Sequence, residues 1–546
     1  MADYTAQEYI QLQKLEESNQ SNIRNLWQET GDQIYPYVQI TTTYQNGIPR
    51  TTTIYDMTPY LDMCDMVSGL KYILMPSGQY YFAVKTSKEL STNDNAQRYL
   101  SLVTEIAHEK IASSNFITEF DEVLRNEVIF GPGTIFSEWI RGIGLNYKAT
   151  EIGTYQLLED NTKNVDSIFV KFQLTARNAK KEFGSNVGKS VSKALEKCET
   201  ENNKFWFIHC VKPRKNRNYN FSDNANMPFE SVFVNVIDEI IVDEGGFPEN
   251  PYHTARWMRP CGEKDGRGIG TEGLPQIRVL NKMSKTFIEV GNKWGDPPLE
   301  VVTNDVEGDV DTRPGALTHV MRRGSVGAIE QNALGNFPIT EKSLDRQTDL
   351  VHRMFFKNTF SPLEDLTGDR RTTLEIRERI KQSWPKIGPP VTRIWFEQLT
   401  KCITRSILLL IRNGEIPYPP PELAGANFGI EFVGPFALEL RSSQAKAFQE
   451  WVGWIGQMEQ AFPNSVERPS DYLDMKDAIP RMGRTFGVNS EDMASEEEVM
   501  AKQQQRIKEM QQMQAMQAAQ VASQAYNQTT GAPEQGSPAG AMMGTK

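Results

Sequence analysis

Two helical stretches of this 546-residue chain bracket a segment that no helix can cross, and this limits the fold more than any other feature. Residues 274–294 carry Ile277, Leu280, Met283, Phe287 and Val290 along one stripe, with Pro275 near the first turn, where a missing N–H costs nothing. Residues 295–338 open with GDPP, close with GNFP and are rich in Gly, Pro and Asp, the signature of a small separate unit with a few short strands. Thr340 then predicts the cap of a second helix running to about residue 360. Helices of roughly 20 residues each span about 30 Å, so the pattern predicts a long helical hairpin with a small unit at its tip.

The first 260 residues read as α+β. Residues 4–34 predict a helix, with Ile10, Leu12, Leu15, Ile23, Leu26 and Trp27 at helical spacing. A hairpin is expected around Asn46-Gly47, with Pro49 marking an edge strand. Residues 58–75 predict a helix, YYFAVK at 80–85 a strand, and residues 93–130 a long helical stretch broken near Ser113–Ser114. TIFSEWI, SIFVKFQL, FWFIHCV and SVFVNVI predict strands within 134–175 and 204–258, parted by a helical insert at 176–200.

Beyond the hairpin, residues 361–371 (SPLEDLTGDRR) read as a loop, and Thr372 with Glu375 forms a capping box for a helix through Trp384. Pro385 and Gly388-Pro389-Pro390 are expected to break it before a helix at 391–412 that stops at Asn413-Gly414. IPYPPPELAG reads as a rigid linker, GIEFVG as a strand, and 436–462 and 471–482 as helical. From 495 onward Gln, Met, Ala and Glu dominate, without an apolar stripe, and this tail is expected to be largely disordered.

The chain carries a formal net charge of −11 and a pI near 5.3, which disfavours tight, groove-reading nucleic-acid binding, since that affinity comes from cations that release counterions. Cys64, Cys198, Cys210, Cys261 and Cys402 are scattered and form no C-x-x-C pair, which fits free thiols in a reducing compartment. His209 beside Cys210 lacks a second ligand pair, so no metal is expected. The N-terminus has no export pattern, and the longest apolar run, ILLLI at 407–411, is far too short to span a membrane. Trp139, Trp206 and Trp257 are expected in the core.

Three motifs approach known chemistry and miss. GSNVGKS at 184–190 has three residues between its glycines where a phosphate loop needs four, and reads as a helix end, a turn and a new helix at Ser190. Gly268-Ile269-Gly270-Thr271-Glu272-Gly273 has the letters of a dinucleotide fingerprint but follows a loop, so a flexible hinge is expected. NDVEGDVDT at 304–312 misplaces the glycine of a calcium loop and reads as an acidic surface turn. No G-x-S-x-G or H-E-x-x-H occurs, so neither catalytic residues nor a cofactor are expected.

Several blocks together resemble the head-to-tail connecting (portal) family of short-tailed phages. They are IYDMTPYLDMCDMVSGLKYILMPSGQYYFAVK, SNFITEFDEVLRNEVIFGPGTIFSEW at 114–139, GRGIGTEGLPQIRVLNKMSKTFIEVGNKWGDPPLEV at 266–301, and TTLEIRERIKQSWPKIGPPVTRIWFEQLTKCITRSILLLIRNGEIPYPPPEL at 372–423. The order of blocks, over roughly residues 20–440, carries the resemblance; the Gln/Met-rich tail departs from it.

The resemblance implies a portal-type α+β subunit assembling into a homododecameric ring. Its parts would be an α/β wing (1–265), a hinge and first stem helix (266–294), a clip (295–339), a second stem helix (340–360), a channel loop (361–371), the returning wing (372–435), a helical crown (436–494) and the tail (495–546). It further implies double-stranded DNA passing without sequence preference, docking of a terminase packaging motor and then tail adaptor or tail tube proteins, contacts with capsid and scaffold proteins, and a place at the head–tail vertex of a virion after synthesis in the host cytoplasm. Arg370 and Arg371, with Lys282, Lys285 and Lys357, are the candidates for facing DNA, and Arg322 and Arg323 for clip docking. The alternatives left open are an ATP-dependent packaging or nuclease component and another structural virion subunit.

Overall fold

The structure, a computed structural model, describes residues 2–41, 53–76, 78–86, 94–197, 199–218, 220–221, 223–295, 298–311, 317–328, 337–360, 386–423, 428–433, 448–458 and 496–530. The chain divides into two compact units. One comprises residues 1–85, 103–418 and 428–435, and the other residues 86–102, 419–427 and 436–546. The expected hairpin at Asn46-Gly47, the loop at 361–371, the helix at 372–384 and the helical stretch at 471–482 lie outside the described residues, as does Cys198.

The larger unit is built on two antiparallel sheets. Strands β2 (Pro132–Ile140), β3 (Gly144–Thr150) and β9 (Tyr252–Arg256) form one, in the order β3-β2-β9. The other runs β4-β5-β6-β7-β8, from Tyr155–Glu159, Val165–Thr175, Lys204–Pro213, Phe229–Asn235 and Ile240–Phe247. Alternation along its central strands gives it two apolar faces. Phe205 and Phe207 pack under helices α6 (Ala176–Phe183) and α7 (Lys189–Leu195), against Ala176, Ala179 and Val191. Ile208 and Cys210 point the other way, onto Tyr9 and Ile10 of helix α1 (Ala6–Asn19), which a Thr5–Glu8 capping box starts. Trp257 is core as expected, whereas Trp206, on the face of the sheet that carries Ile208 and Cys210, is exposed at 40%, with Lys171 Nζ 5.4 Å from its ring.

The helix predicted over 4–34 is two helices, α1 and α2 (Ser21–Ile34), parted at Gln20. Helices α3 (Thr58–Leu74), α4 (Asp94–Ala112) and α5 (Phe116–Ile129) fall where the apolar spacing puts them, the last two broken at residues 113–115. Strand β1 (Phe82–Lys85) pairs with β14 (Gly429–Phe432), Phe82 opposite Phe432.

A long helix covers the three-stranded sheet. It is helical from residue 386, passes through a wider π-helical stretch at Ile394–Leu399 and continues as α11 (Thr400–Arg412), ending at Asn413 with Gly414 at φ 77°. Gly388-Pro389-Pro390 lie inside this helical stretch and do not break it. Gln398 donates to the carbonyls of Gly133 (3.0 Å) and His253 (3.2 Å), and the Tyr147 and Ser406 hydroxyls meet at 2.7 Å. The tail also departs from expectation: residues Glu496–Thr530 form a 35-residue helix, which the high propensity of Glu, Gln, Met and Ala supports without an apolar stripe.

Beneath the long helix, Glu127 of α5 is fully buried, and its carboxyl oxygens have no hydrogen-bond partner among the described residues. Burial pushes its pKa well above 4.5, which favours the neutral acid. A raised folded pKa means that this group's contribution is complete below about pH 4.5 and is lost as pH climbs through the folded value. Glu127→Gln, which does not titrate, is therefore expected to gain stability over the parent as pH rises from about 5 to 8, by at most about 1.4 kcal/mol per pH unit. Paired calorimetric melts check this, and an advantage that shrinks with rising pH contradicts it.

Candidate functional site: a helix pair carrying a small β unit

The predicted hairpin is present. Helix α8 (Ile269–Gly295) has 27 residues and is about 40 Å long; α9 (Phe337–Met354) has 18 and is about 27 Å long. Gly273 at the start of α8 lies against the Met354 side chain at the end of α9, so the two run antiparallel. Leu274, Ile277 and Leu280 of α8 and Val351 and Phe355 at the other end of the return are buried. Further along the stripe, Met283, Phe287 and Val290 are only half-buried.

Helix α8 begins five residues before the predicted start, and its glycines explain why. A Cβ on Gly268 would stand 2.6 Å from the Val128 carbonyl oxygen, and one on Gly270 2.6 Å from that of Ile129. The Gly-rich sequence is thus a packed junction that brings α8 onto the end of α5, not a flexible hinge and not a cradle for a dinucleotide. The Gly268 N–H donates to Thr271 Oγ1 (3.0 Å), whose hydroxyl donates back to the Gly268 carbonyl (2.8 Å).

Helix α9 starts before Thr340, which lies within its first turns, not at its cap; Pro338 is the residue fit for a helix opening. Phe356, at φ 55°, breaks the return before the short α10 (Lys357–Phe360). Here the fully buried Asp62 of α3 receives His352 Nδ1 at 2.6 Å and Lys357 Nζ at 3.5 Å, which pins the end of α9 to the body.

Between the helices, β10 (Leu299–Val301) pairs with β13 (Val326–Ala328), and β11 (Val306–Glu307) with β12 (His319–Val320). Asp305, from the acidic turn, accepts from the Ser325 hydroxyl at 3.2 Å. Arg322 and Arg323 occupy an exposed turn between β12 and β13, beside exposed Val320 and Met321.

Of the basic residues singled out from the sequence for facing DNA, Lys282, Lys285 and Lys357 are among the described residues. Lys282 and Lys285 are exposed on α8, the latter 3.8 Å from Glu289 and 5.4 Å from the Tyr55 ring. Lys357 serves Asp62, and Arg370 and Arg371 lie outside the described residues. The near-miss at 184–190 is filled by the protein itself. Gly184 (φ 66°) and Gly188 (φ 98°) make the turn, and the Asp238 carboxylate takes the Ser190 N–H at 3.1 Å and hydroxyl at 2.6 Å, where a phosphate would have to bind. No group of three metal-ligating side chains converges among the described residues, and none of the described helices is long and apolar enough to cross a membrane.

The family model for the bacteriophage head to tail connecting protein matches residues 6–493. The chain belongs to that family. A portal protein of Salmonella phage epsilon15 is 24% identical over 510 residues, which cover 90% of this chain and 89% of the relative. A probable portal protein of Bordetella phage BPP-1 is 23% identical over 472 residues, 84% of each. The head-to-tail connecting match takes in both helices and the small β unit and stops just before the helix at Glu496.

Two glycines of α8 separate packing from propensity in this connecting protein. Gly270→Ala is expected to cost about 1–3 kcal/mol, because the backbone of Ile129 cannot give way. Gly291→Ala, with nothing within 4 Å, is expected to stabilise by up to about 1 kcal/mol. Thermal midpoints of the two variants should move in opposite directions, and parallel shifts would refute the packed junction.

Proposed function

We propose that this chain is the portal subunit of a phage particle, and that copies of it form the ring through which DNA enters and leaves the head. The observation that carries the reading is the antiparallel pair α8–α9 with a small β unit at its far end, in a chain whose family match spans nearly its whole length and whose relatives are named as portal proteins. The two helices serve as the stem and the β unit as the clip. The sheets and the helix at 386–412 form the wing, and the residues from 436 onward the crown and tail. A ring needs a head-to-tail contact whose rotation closes, and the family resemblance implies twelve copies.

Such a ring is a conduit and not an enzyme. A net charge of −11 per chain gives a lumen that does not grip phosphates, so DNA slides through without sequence preference. Arg370 and Arg371, at the end of a polar loop between the second stem helix and the wing, are the residues proposed to meet the DNA backbone. Lys357 is committed to Asp62 and is the weakest member of the candidate set. At the clip, Arg322 and Arg323 with the apolar Met321 and Leu317 offer a surface for the terminase motor and later for the tail adaptor. Capsid and scaffold proteins would meet the wing, and the assembled ring would sit at the head–tail vertex.

The test pairs imaging with packaging. Negative-stain class averages of the purified protein are expected to show rings with an axial channel. Arg370→Ala with Arg371→Ala is expected to leave the rings intact and to lower packaged or retained DNA by about tenfold, the loss expected when phosphate contacts are removed from each copy. Compact monomers at high concentration would remove the ring, and normal packaging by the double variant would remove the loop from the lumen.

A further inference from the structure

Helices α8 and α9 carry rows of opposite charge that are only partly paired inside their own chain. On α9, Glu341, Asp345 and Asp349 are all exposed, and their spacing of four puts them on one face. Lys342 and Arg346 follow one position later, on an adjacent exposed row. On α8, the exposed face opposite the buried stripe carries Arg278, Lys282, Lys285 and Lys293, with Glu289 among them. Arg278 pairs with Glu29, and Lys285 lies 3.8 Å from Glu289. Among the described residues, the ammonium groups of Lys282 and Lys293 and the carboxylates of α9 take no ion-pair partner. Three like charges four residues apart repel one another, and facing cations are what would offset that cost.

The rows are level with each other. The contact of Gly273 with Met354 fixes the register of the antiparallel pair, and both helices rise by about 1.5 Å per residue. Stepping along α8 from Gly273 and back along α9 from Met354 sets Arg278 at the height of Asp349, Lys282 at that of Asp345, and Lys285 within one residue of Glu341. Copies in a ring are related by rotation alone, so with stem helices running along the axis only groups at equal height can meet across a seam.

We propose that the basic face of α8 docks on the acidic row of α9 in the next copy of this chain, with Lys282 against Asp345 and Lys285 against Glu341. The proposal rests on the ring reading above, and it takes Lys282 and Lys285 away from DNA and gives them to the neighbouring subunit. Exposed pairs of this kind contribute little one at a time, but the contact repeats at every seam, and a reversed charge sets like against like around the whole ring.

Charge reversal tests it in the full-length protein, with ring yield read by native mass spectrometry and packaging read separately. Lys282→Glu with Lys285→Glu is expected to lower ring yield by about tenfold or more at moderate salt, as is Glu341→Lys with Asp345→Lys, while the melting of the isolated subunits stays unchanged. The fourfold variant is expected to recover rings. Lys282→Ala with Lys285→Ala removes charge without adding repulsion and should give an intermediate yield. Loss without recovery in the fourfold variant would show that the rows do not meet. Intact rings in both reversals would overturn the seam and leave the ring standing, and intact rings that fail to package would return the lysines to the lumen. Absence of rings in the parent protein at any concentration would overturn the ring reading itself, and the seam with it.

Discussion

Arg256 is the point on which the rest of the larger unit depends. It ends β9 with only 2% of its surface exposed, and its guanidinium is satisfied by four separate parts of the chain. Glu159 at the end of β4 pairs with it, Glu397 in the π-helical stretch binds at 3.2 and 3.3 Å, and the carbonyls of Lys163 and Lys264 accept at 3.2 Å. A buried guanidinium left unpaired is costly, of the order of 3–5 kcal/mol when one partner of such a pair is removed. Its value here lies in position more than in net stability, because only one arrangement of those four segments satisfies it. The five-stranded sheet, the three-stranded sheet and the long helix are thereby held in one relation. Arg405 repeats the device, binding the Glu249 side chain at 3.0 Å and its carbonyl at 3.1 Å.

From Arg256 the constraint passes directly to the helix pair. The chain leaves β9, loops through residues 258–267 and returns to itself, with Met258 and Arg267 exchanging backbone hydrogen bonds of 3.1 and 2.7 Å. Gly266 (φ 79°) has no room for a Cβ beside Arg256 and the Met258 carbonyl, and Gly131 (φ 120°) lies directly on the Arg267 backbone. Helix α8 thus leaves the body from a fixed junction. Its antiparallel partner is fixed independently, through Asp62, His352 and Lys357. Two anchors at the body thus hold the ends of the pair that lie nearest the sheets.

The hairpin was legible because it rests on local signals: an apolar stripe, a Gly/Pro-rich interruption and a cap residue opening a second helix. The ends of its helices were not. Residue 274 was readable as the start of the striped helix, but the turn before it, Ile269–Gly273, is helical for reasons of close backbone approach that lie 140 residues upstream, at Val128 and Ile129. Pro389 and Pro390 read as a break, whereas the chain is helical on both sides of them, at 386–388 and from 391 onward. Arg256 left no trace at all. It lies in the run TARWMRP, and its side-chain partners are 97 and 141 residues away. Lys357 shows the same limit from the opposite side: a lysine in a polar stretch invites a role in binding, whereas its position is set by a carboxylate nearly three hundred residues earlier in the chain.

These placements bear on how an acidic chain can serve a polyanion. Many of its cations are already engaged by carboxylates of the same chain: Arg256 by Glu159 and Glu397, Arg405 by Glu249, Arg125 by Asp121, Arg278 by Glu29 and Lys357 by Asp62. Each such pair removes a charge that could otherwise condense on phosphate and release a counterion, and it is the number of released counterions that sets the strength and salt dependence of nucleic-acid binding. A conduit works best with that number small, because every strong phosphate contact must be broken again as the duplex advances. Internal pairing of these arginines and lysines fixes the fold, and it takes those particular cations out of the set that could bind a polyanion.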